Sequence, residues 1–143
     1  TLYNTISGKK IAFFGWAFKK DTNDTRESAA ISVANALLEE KANSVDYDPK
    51  VSKKAIYEDL NYLGTRKAEE NKSLLKVVNN PMDAAKDAHA IAILTEWDEF
   101  KSYDWNNIYN QMLKPAFVFD GRRILDKIVM ESIGFFHYCI GES

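Results

Sequence analysis

Ile11-Ala12-Phe13-Phe14-Gly15 is a short apolar run stopped by a glycine, and its place in the chain decides the fold. A run this short, without polar alternation, reads as a buried strand. A polar loop comes next, from about Phe18 to Asp24, and then Ser28 to Lys41 reads as a helix. Ile31, Ala34 and Leu38 fall on one face there, with Ala30, Val33 and Leu37 beside them at helical spacing. Asp24 with Glu27 three residues later resembles a capping box, which starts that helix near Thr25. Ser44 to Tyr47 is a second strand, closed by Asp48-Pro49.

The alternation continues outward. Ala55 to Leu60 reads as a short helix, and the polar stretch 61–73 with Gly64 as a loop. Strands are expected at Leu74–Val78, Ala90–Leu94, Ala116–Phe119 and Phe135–Ile140. Helices are expected at Pro81–Asp87, Asp104–Met112 and Leu125–Ser132. Ala90 to Leu94 is apolar throughout, as a strand buried on both faces should be. Strand alternating with helix implies an α/β class: a Rossmann-like, doubly wound, mainly parallel six-stranded sheet. Right-handed crossovers favour the order 3-2-1-4-5-6. The expected organisation is a linker over 1–8, arriving from an upstream domain, and one ligand-binding domain over 9–143.

Bulk composition excludes several function classes. The 143 residues fit one domain. A net charge of −2 argues against a nucleic-acid binder. No apolar run approaches the roughly 20 residues that span a bilayer. A single cysteine forms no internal disulfide and points to a reducing compartment, the cytoplasm.

In an open sheet of this kind, ligands bind beyond the carboxyl ends of the strands at the switch point, here between strands one and four. The loops at that edge are Gly15 onward, Thr95-Glu96-Trp97, and Asp120 to Arg123. The first lacks the Gly-x-Gly-x-x-Gly spacing that lets backbone approach a pyrophosphate. Only Gly15 is present, with Ala17 and Lys20 in place of the other two glycines, so a dinucleotide in the usual groove is disfavoured. Lys19 reads either as a surface lysine or as a cation for an anionic ligand. Arg122 and Arg123 offer planar forks suited to phosphate or carboxylate, or else close a salt bridge to Asp120. Lys19 and Arg122 leave neighbouring parts of one edge, so a single anion can meet both. Arg26, near a helix start, pairs with Asp24 or a bound phosphate. Cys139 reads as a buried strand residue, and His89 and His137 show no metal-ligand spacing. With neither nucleophile, general base nor metal set evident, no catalytic residue is assigned, and the domain reads as one that holds substrate.

These runs carry a resemblance. Gly15 to Ser28, with Phe18-Lys19 and then Thr22-x-Asp24-x-Arg26-x-Ser28, resembles the signature opening the C-terminal domain of the UDP-glucose/GDP-mannose dehydrogenase family. Asp46-Tyr47-Asp48-Pro49, Thr95-Glu96-Trp97 and Phe119-Asp120-Gly121-Arg122 recur at the expected intervals, and the match runs from Leu2 to Ile140. The wording is most similar to animal-type members that oxidise UDP-glucose. Trp16 departs from the pattern as unexpectedly bulky, and Ala29 stands where bacterial members carry proline.

The resemblance implies an enzyme that oxidises the C6 alcohol of UDP-glucose twice, giving UDP-glucuronate and two NADH. It implies that NAD is held mainly by an N-terminal domain outside this chain, and that a catalytic cysteine also lies outside it. Phe18, Lys19 and Arg122 are implied to contact substrate, and Arg26 to reach NAD. The implied partners are UDP-glucose, the enzyme's own N-terminal and central domains, and further copies in a dimer to hexamer. The chain alone is expected to be inactive. A GDP-mannose or UDP-N-acetyl-sugar dehydrogenase domain, and a non-catalytic nucleotide-binding or assembly module, are the alternatives.

Overall fold

The computed structural model describes residues 8–17 and 29–139. The order of elements is β1 (Lys10–Phe14), α1 (Ala29–Glu39), β2 (Asn43–Tyr47), α2 (Lys53–Leu63), α3 (Ala68–Leu74), β3 (Leu75–Val77), α4 (Pro81–Ala85), β4 (Ala90–Ile93), α5 (Asp98–Lys101), α6 (Trp105–Gln111), β5 (Phe117–Asp120), α7 (Lys127–Ile133) and β6 (Phe136–Cys139). The sheet runs β3-β2-β1-β4-β5-β6, the order expected from the sequence. Every pairing is parallel.

Burial explains the centre. Ala12, Phe13 and Phe14 in β1 and Ile91 and Ile93 in β4 are wholly buried, because helices cover both faces of the sheet. In α1 the inward positions are Ala30, Ala34 and Leu38, one helical turn apart. Two of the three are alanines, which let the helix backbone approach the sheet closely. Register places the carboxyl ends of β1 and β4 side by side, with Phe14 opposite Ile93, and Asp120 of β5 next to Ile93. The switch-point loops therefore leave from one edge.

The stretch 61–73 is not a loop. α2 runs to Leu63 and is stopped by Gly64, in a left-handed conformation at φ 71°. α3 begins four residues later, with Glu69 and Glu70 in its first turn. Its helical pattern is hidden because its inward position is polar. Asn71 is fully buried, accepting from Arg66 Nε at 2.9 Å and donating to Asn61 at 2.8 Å, while Arg66 also reaches Asn35. Cys139 is half-buried on the edge strand β6, against the expectation of full burial.

β2 carries a conflict inside the core. Asp46 is fully buried, and neither carboxylate oxygen has a hydrogen-bond partner among the described residues. Burial, with a smaller push from Asp48, holds its pKa well above the ordinary 3.8. Between the ordinary value and the raised one, the folded chain keeps a proton that the unfolded chain has released. Stability therefore falls as pH rises through that window. Asp46→Val should stabilise the domain near neutral pH by about 1–3 kcal/mol, the usual cost of an unsatisfied buried polar group. Urea midpoints of both proteins, measured at several pH values, should converge toward low pH.

Candidate functional site at the carboxyl edge of the sheet

The edge is organised around one carboxylate. Asp48, just past β2, is 9% exposed. Its Oδ2 accepts the backbone N–H of Trp16 at 2.7 Å and of Ala17 at 3.0 Å, and the indole N–H of Trp97 at 3.1 Å. Its Oδ1 accepts the N–H groups of Lys50 and Val51 at 2.8 and 3.0 Å. One side chain thus ties the β1 loop, the β4 loop and its own turn together. Asp48 belongs to a motif visible in the sequence, but its role is not. An acid at the end of a second strand suggests a ligand contact no more strongly than it suggests this internal brace.

The start of the β1 loop, Gly15 to Ala17, is tightly packed. Gly15 sits at φ +108°, and a Cβ there would lie 2.5 Å from Thr95 Cβ and 2.8 Å from the Thr95 backbone nitrogen. Only glycine fits against the β4 loop at this point. Thr95 is wholly buried and donates its hydroxyl to the Ala17 carbonyl at 2.8 Å. Trp16, the bulky departure, is buried too, and its indole donates to Asp59 of α2 at 3.0 Å. The amides of Trp16 and Ala17 at the end of β1 are thus taken by Asp48, and that negative charge repels an anion placed against them.

Arg122 comes after β5 in a turn built on Asp120. Asp120 is fully buried. It accepts the N–H groups of Arg122 and Ile124 on Oδ1, at 3.2 and 3.1 Å, and of Leu125 on Oδ2 at 2.7 Å. The N–H of Gly121 donates to Ile93 at 3.0 Å, fixing the turn to β4. Arg122 is not the partner of Asp120. Its guanidinium lies 2.6 Å from Glu96 Oε1 in the β4 loop, an ionic contact without an aligned N–H. Both side chains are about one-third exposed, at 34% and 29%, so an incoming ligand can reach the pair. Glu96 stands in one of the sequence motifs, but only geometry reveals that it holds the arginine.

Glu99, in α5, accepts hydroxyl hydrogen bonds from Tyr47, at 2.8 Å, and from Tyr103. Burial first, and Glu99 second, pushes Tyr47 up to about 12 and raises Tyr103 as well. These phenols stay protonated and serve as fixed donors. Among the described residues no group of three or more His, Cys, Asp or Glu is placed to hold a metal ion. No helix among them is long and apolar enough to cross a membrane.

Phe18, Lys19 and Arg26 lie outside the described residues. The chain leaves toward them at Ala17, whose carbonyl is held by Thr95, the neighbour of Glu96. Two clefts lie away from Arg122. One, of about 690 Å³, is lined by Lys53, Lys54, Lys72 and Lys76 near the β3 edge. The other, of about 720 Å³, lies at the amino ends of the strands around Ile11, Ala90 and Phe117.

A doubly wound parallel sheet with an arginine–carboxylate pair at its switch-point edge defines a Rossmann-like domain. Residues 12–127 match the model of the UDP-glucose/GDP-mannose dehydrogenase family, UDP binding domain, and the chain belongs to that family. It is 49% identical to a UDP-glucose 6-dehydrogenase of Caenorhabditis elegans, over 99% of this chain and 29% of the relative. It is 47% identical to UDP-glucose 6-dehydrogenase 1 of Arabidopsis thaliana, over 99% and 32%. A solved UDP-D-ManNAc dehydrogenase from Pyrococcus horikoshii is similar at 28% identity and TM-score 0.68, over 95% of this chain and 26% of that one. The chain thus spans about three-tenths of the length of the curated relatives it matches.

Proposed function

We propose that this chain is the UDP-binding C-terminal domain of an NAD-dependent UDP-glucose 6-dehydrogenase, and that it holds the nucleotide sugar while residues elsewhere in the longer enzyme oxidise it. The observation that carries this reading is Arg122, fixed by Asp120 and β4 at the ligand-binding edge of the sheet and open to solvent beside Glu96. The guanidinium fork offers two donors to a phosphate or sugar oxygen, and Glu96 accepts from a sugar hydroxyl or yields the arginine. Phe18 and Lys19, arriving from Ala17, complete the contact, and Arg26 reaches NAD held by the N-terminal domain. Residues 1–8 act as the linker from the rest of the enzyme, and 9–143 as the binding domain. The domain packs on its own N-terminal and central domains and helps to build a cytoplasmic homo-oligomer.

UDP-glucose is favoured over GDP-mannose or a UDP-N-acetyl sugar because the curated relatives that match at 45–49% over 99% of this chain are UDP-glucose 6-dehydrogenases by name. Two assays test the reading. The isolated chain should produce no NADH from UDP-glucose and NAD. The longer enzyme should turn over UDP-glucose faster than the other nucleotide sugars at equal concentration. Turnover by the chain alone, or preference for another sugar, would contradict it.

A further inference from the structure

The two faces of the sheet are covered unevenly. Right-handed crossovers from β1 toward β3 and from β4 toward β6 lay their helices on opposite faces. The face that carries α1 over β2 is therefore left, among the described residues, without a helix over β5 and β6. Alternation along these strands shows the consequence. Val118 and His137 point to the side on which α7 packs, and both are buried. Phe117, Phe119, Phe136 and Tyr138 point to the other side. Phe136 stacks on Phe117 with 5.4 Å between ring centroids, and Tyr138 on Phe119 with 5.6 Å. Even so, Phe136 is 51% exposed and Tyr138 49%. A contiguous apolar patch of this kind marks a contact surface, where scattered exposed side chains do not.

Between this aromatic row and β1 the face sinks into a groove of about 720 Å³. Register explains it: the small Ala90 of β4 lies between Ile11 of β1 and Phe117 of β5. Ala90 floors the groove, Ile11 lines one wall, and Phe117, Phe119 and Tyr138 line the other. Lys9 is also among the lining residues, so the chain enters the domain at the groove. Gly8 donates its N–H to the Lys41 carbonyl, just past α1, at 3.0 Å. The point of entry is thus fixed beside the end of α1, the helix on the groove's own face.

We propose that this groove seats residues 1–7 of the same chain, with Leu2, Tyr3 and Ile6 as the side chains that fill it. Three observations choose this occupant. The segment joins the described residues at Gly8, next to the lining residue Lys9. Its length suits the distance: a seven-residue stretch spans about 10 Å as a helix or about 23 Å extended, and two strand spacings, from β1 to β5, are about 10 Å. Its chemistry suits the walls as well. Residues 1–7 contain no Asp, Glu, Lys or Arg, so no side-chain charge loses its hydration against the rings. Leu2, Tyr3 and Ile6 recur at the spacing of one side of a helical turn, with Asn4, Thr5 and Ser7 left for solvent. The groove lies at the amino ends of the strands, away from Arg122, so the inference stands independently of the ligand reading. In the longer enzyme proposed above, it makes the linker a docked strap and not a free tether.

The test is nuclear magnetic resonance on the full labelled chain. Nuclear Overhauser contacts should join the methyl groups of Leu2 and Ile6 to the rings of Phe117 and Phe119. The double variant Leu2→Asp, Ile6→Asp should lose those contacts and shift the ring signals of Phe117, Phe119 and Tyr138. The methyl signals of Val118, on the opposite face, should stay in place and report that the sheet is intact. The wild-type contacts are read without any variant, so a variant that fails to fold does not decide the matter. An isotope-filtered experiment on mixed labelled and unlabelled chains should show the contacts within one molecule. Contacts between molecules would assign the groove to a second copy and overturn the proposal. Absence of the contacts in the wild type, or ring signals indifferent to the double substitution, would leave the groove to another occupant and overturn it too.

Discussion

Asp48→Ala is expected to remove on the order of 3–5 kcal/mol of folding stability, the largest effect of any single change at this edge. Five donors lose their acceptor at once: the amides of Trp16, Ala17, Lys50 and Val51 and the indole of Trp97. Trp16, Ala17, Val51 and Trp97 are buried, so water cannot readily replace the carboxylate. Each orphaned buried donor costs about 1–3 kcal/mol, and the losses do not simply add because the loops relax together. Small domains have only about 5–15 kcal/mol in total, so the variant sits close to the threshold of folding. Asp48→Asn keeps one carbonyl acceptor and should fall between the two. Urea unfolding measures both. An Asp48→Ala variant within about 1 kcal/mol of wild type would show that the hub is not what joins the β1 and β4 loops.

Arg122→Lys carries the largest expected effect on function. Lysine keeps the positive charge but loses the planar fork, and its ammonium offers a single point of contact. Losing a charge-assisted contact removes about 1.5–3 kcal/mol of binding, a fall in kcat/KM of roughly ten- to a hundredfold in the longer enzyme. The fold should be untouched, since the turn is held by backbone N–H groups on Asp120 and not by the guanidinium. Lys19→Ala is expected to act in the same direction. Steady-state rates on UDP-glucose, with urea midpoints as a control for folding, check the pair. Unchanged kcat/KM in Arg122→Lys would remove the arginine from the site.

The legible part of the fold is the part with an apolar pattern. Ile11–Phe14 and Ala90–Leu94 are apolar without interruption because they are buried on both faces, and the sheet order comes from them by the handedness of crossovers. α3 is invisible in the sequence because Asn71, Arg66, Asn61 and Asn35 satisfy one another inside, so no apolar face marks the helix. Asp46 looks like any polar strand residue, and nothing in its neighbours announces full burial without a partner. At the site, residue type marks Arg122 and Arg123 alike, because a fork at a strand end suits an anion, and the family resemblance then singles out Arg122. Its partner is not the one that proximity suggests. Asp120 is close by in sequence, but its oxygens already serve the backbone, and Glu96 from another loop takes the guanidinium. Asp48 acts through distances between separate strands, which no spacing along the chain encodes.

Mapping UDP onto the labelled chain by chemical-shift perturbation tests the central claim most directly. Saturable shifts should centre on Arg122, Glu96 and the Gly121–Leu125 turn, with Lys53, Lys54, Lys72 and Lys76 unmoved. Shifts concentrated on that lysine cleft, with the Arg122 turn silent at saturation, would contradict a ligand held at the carboxyl edge of the sheet.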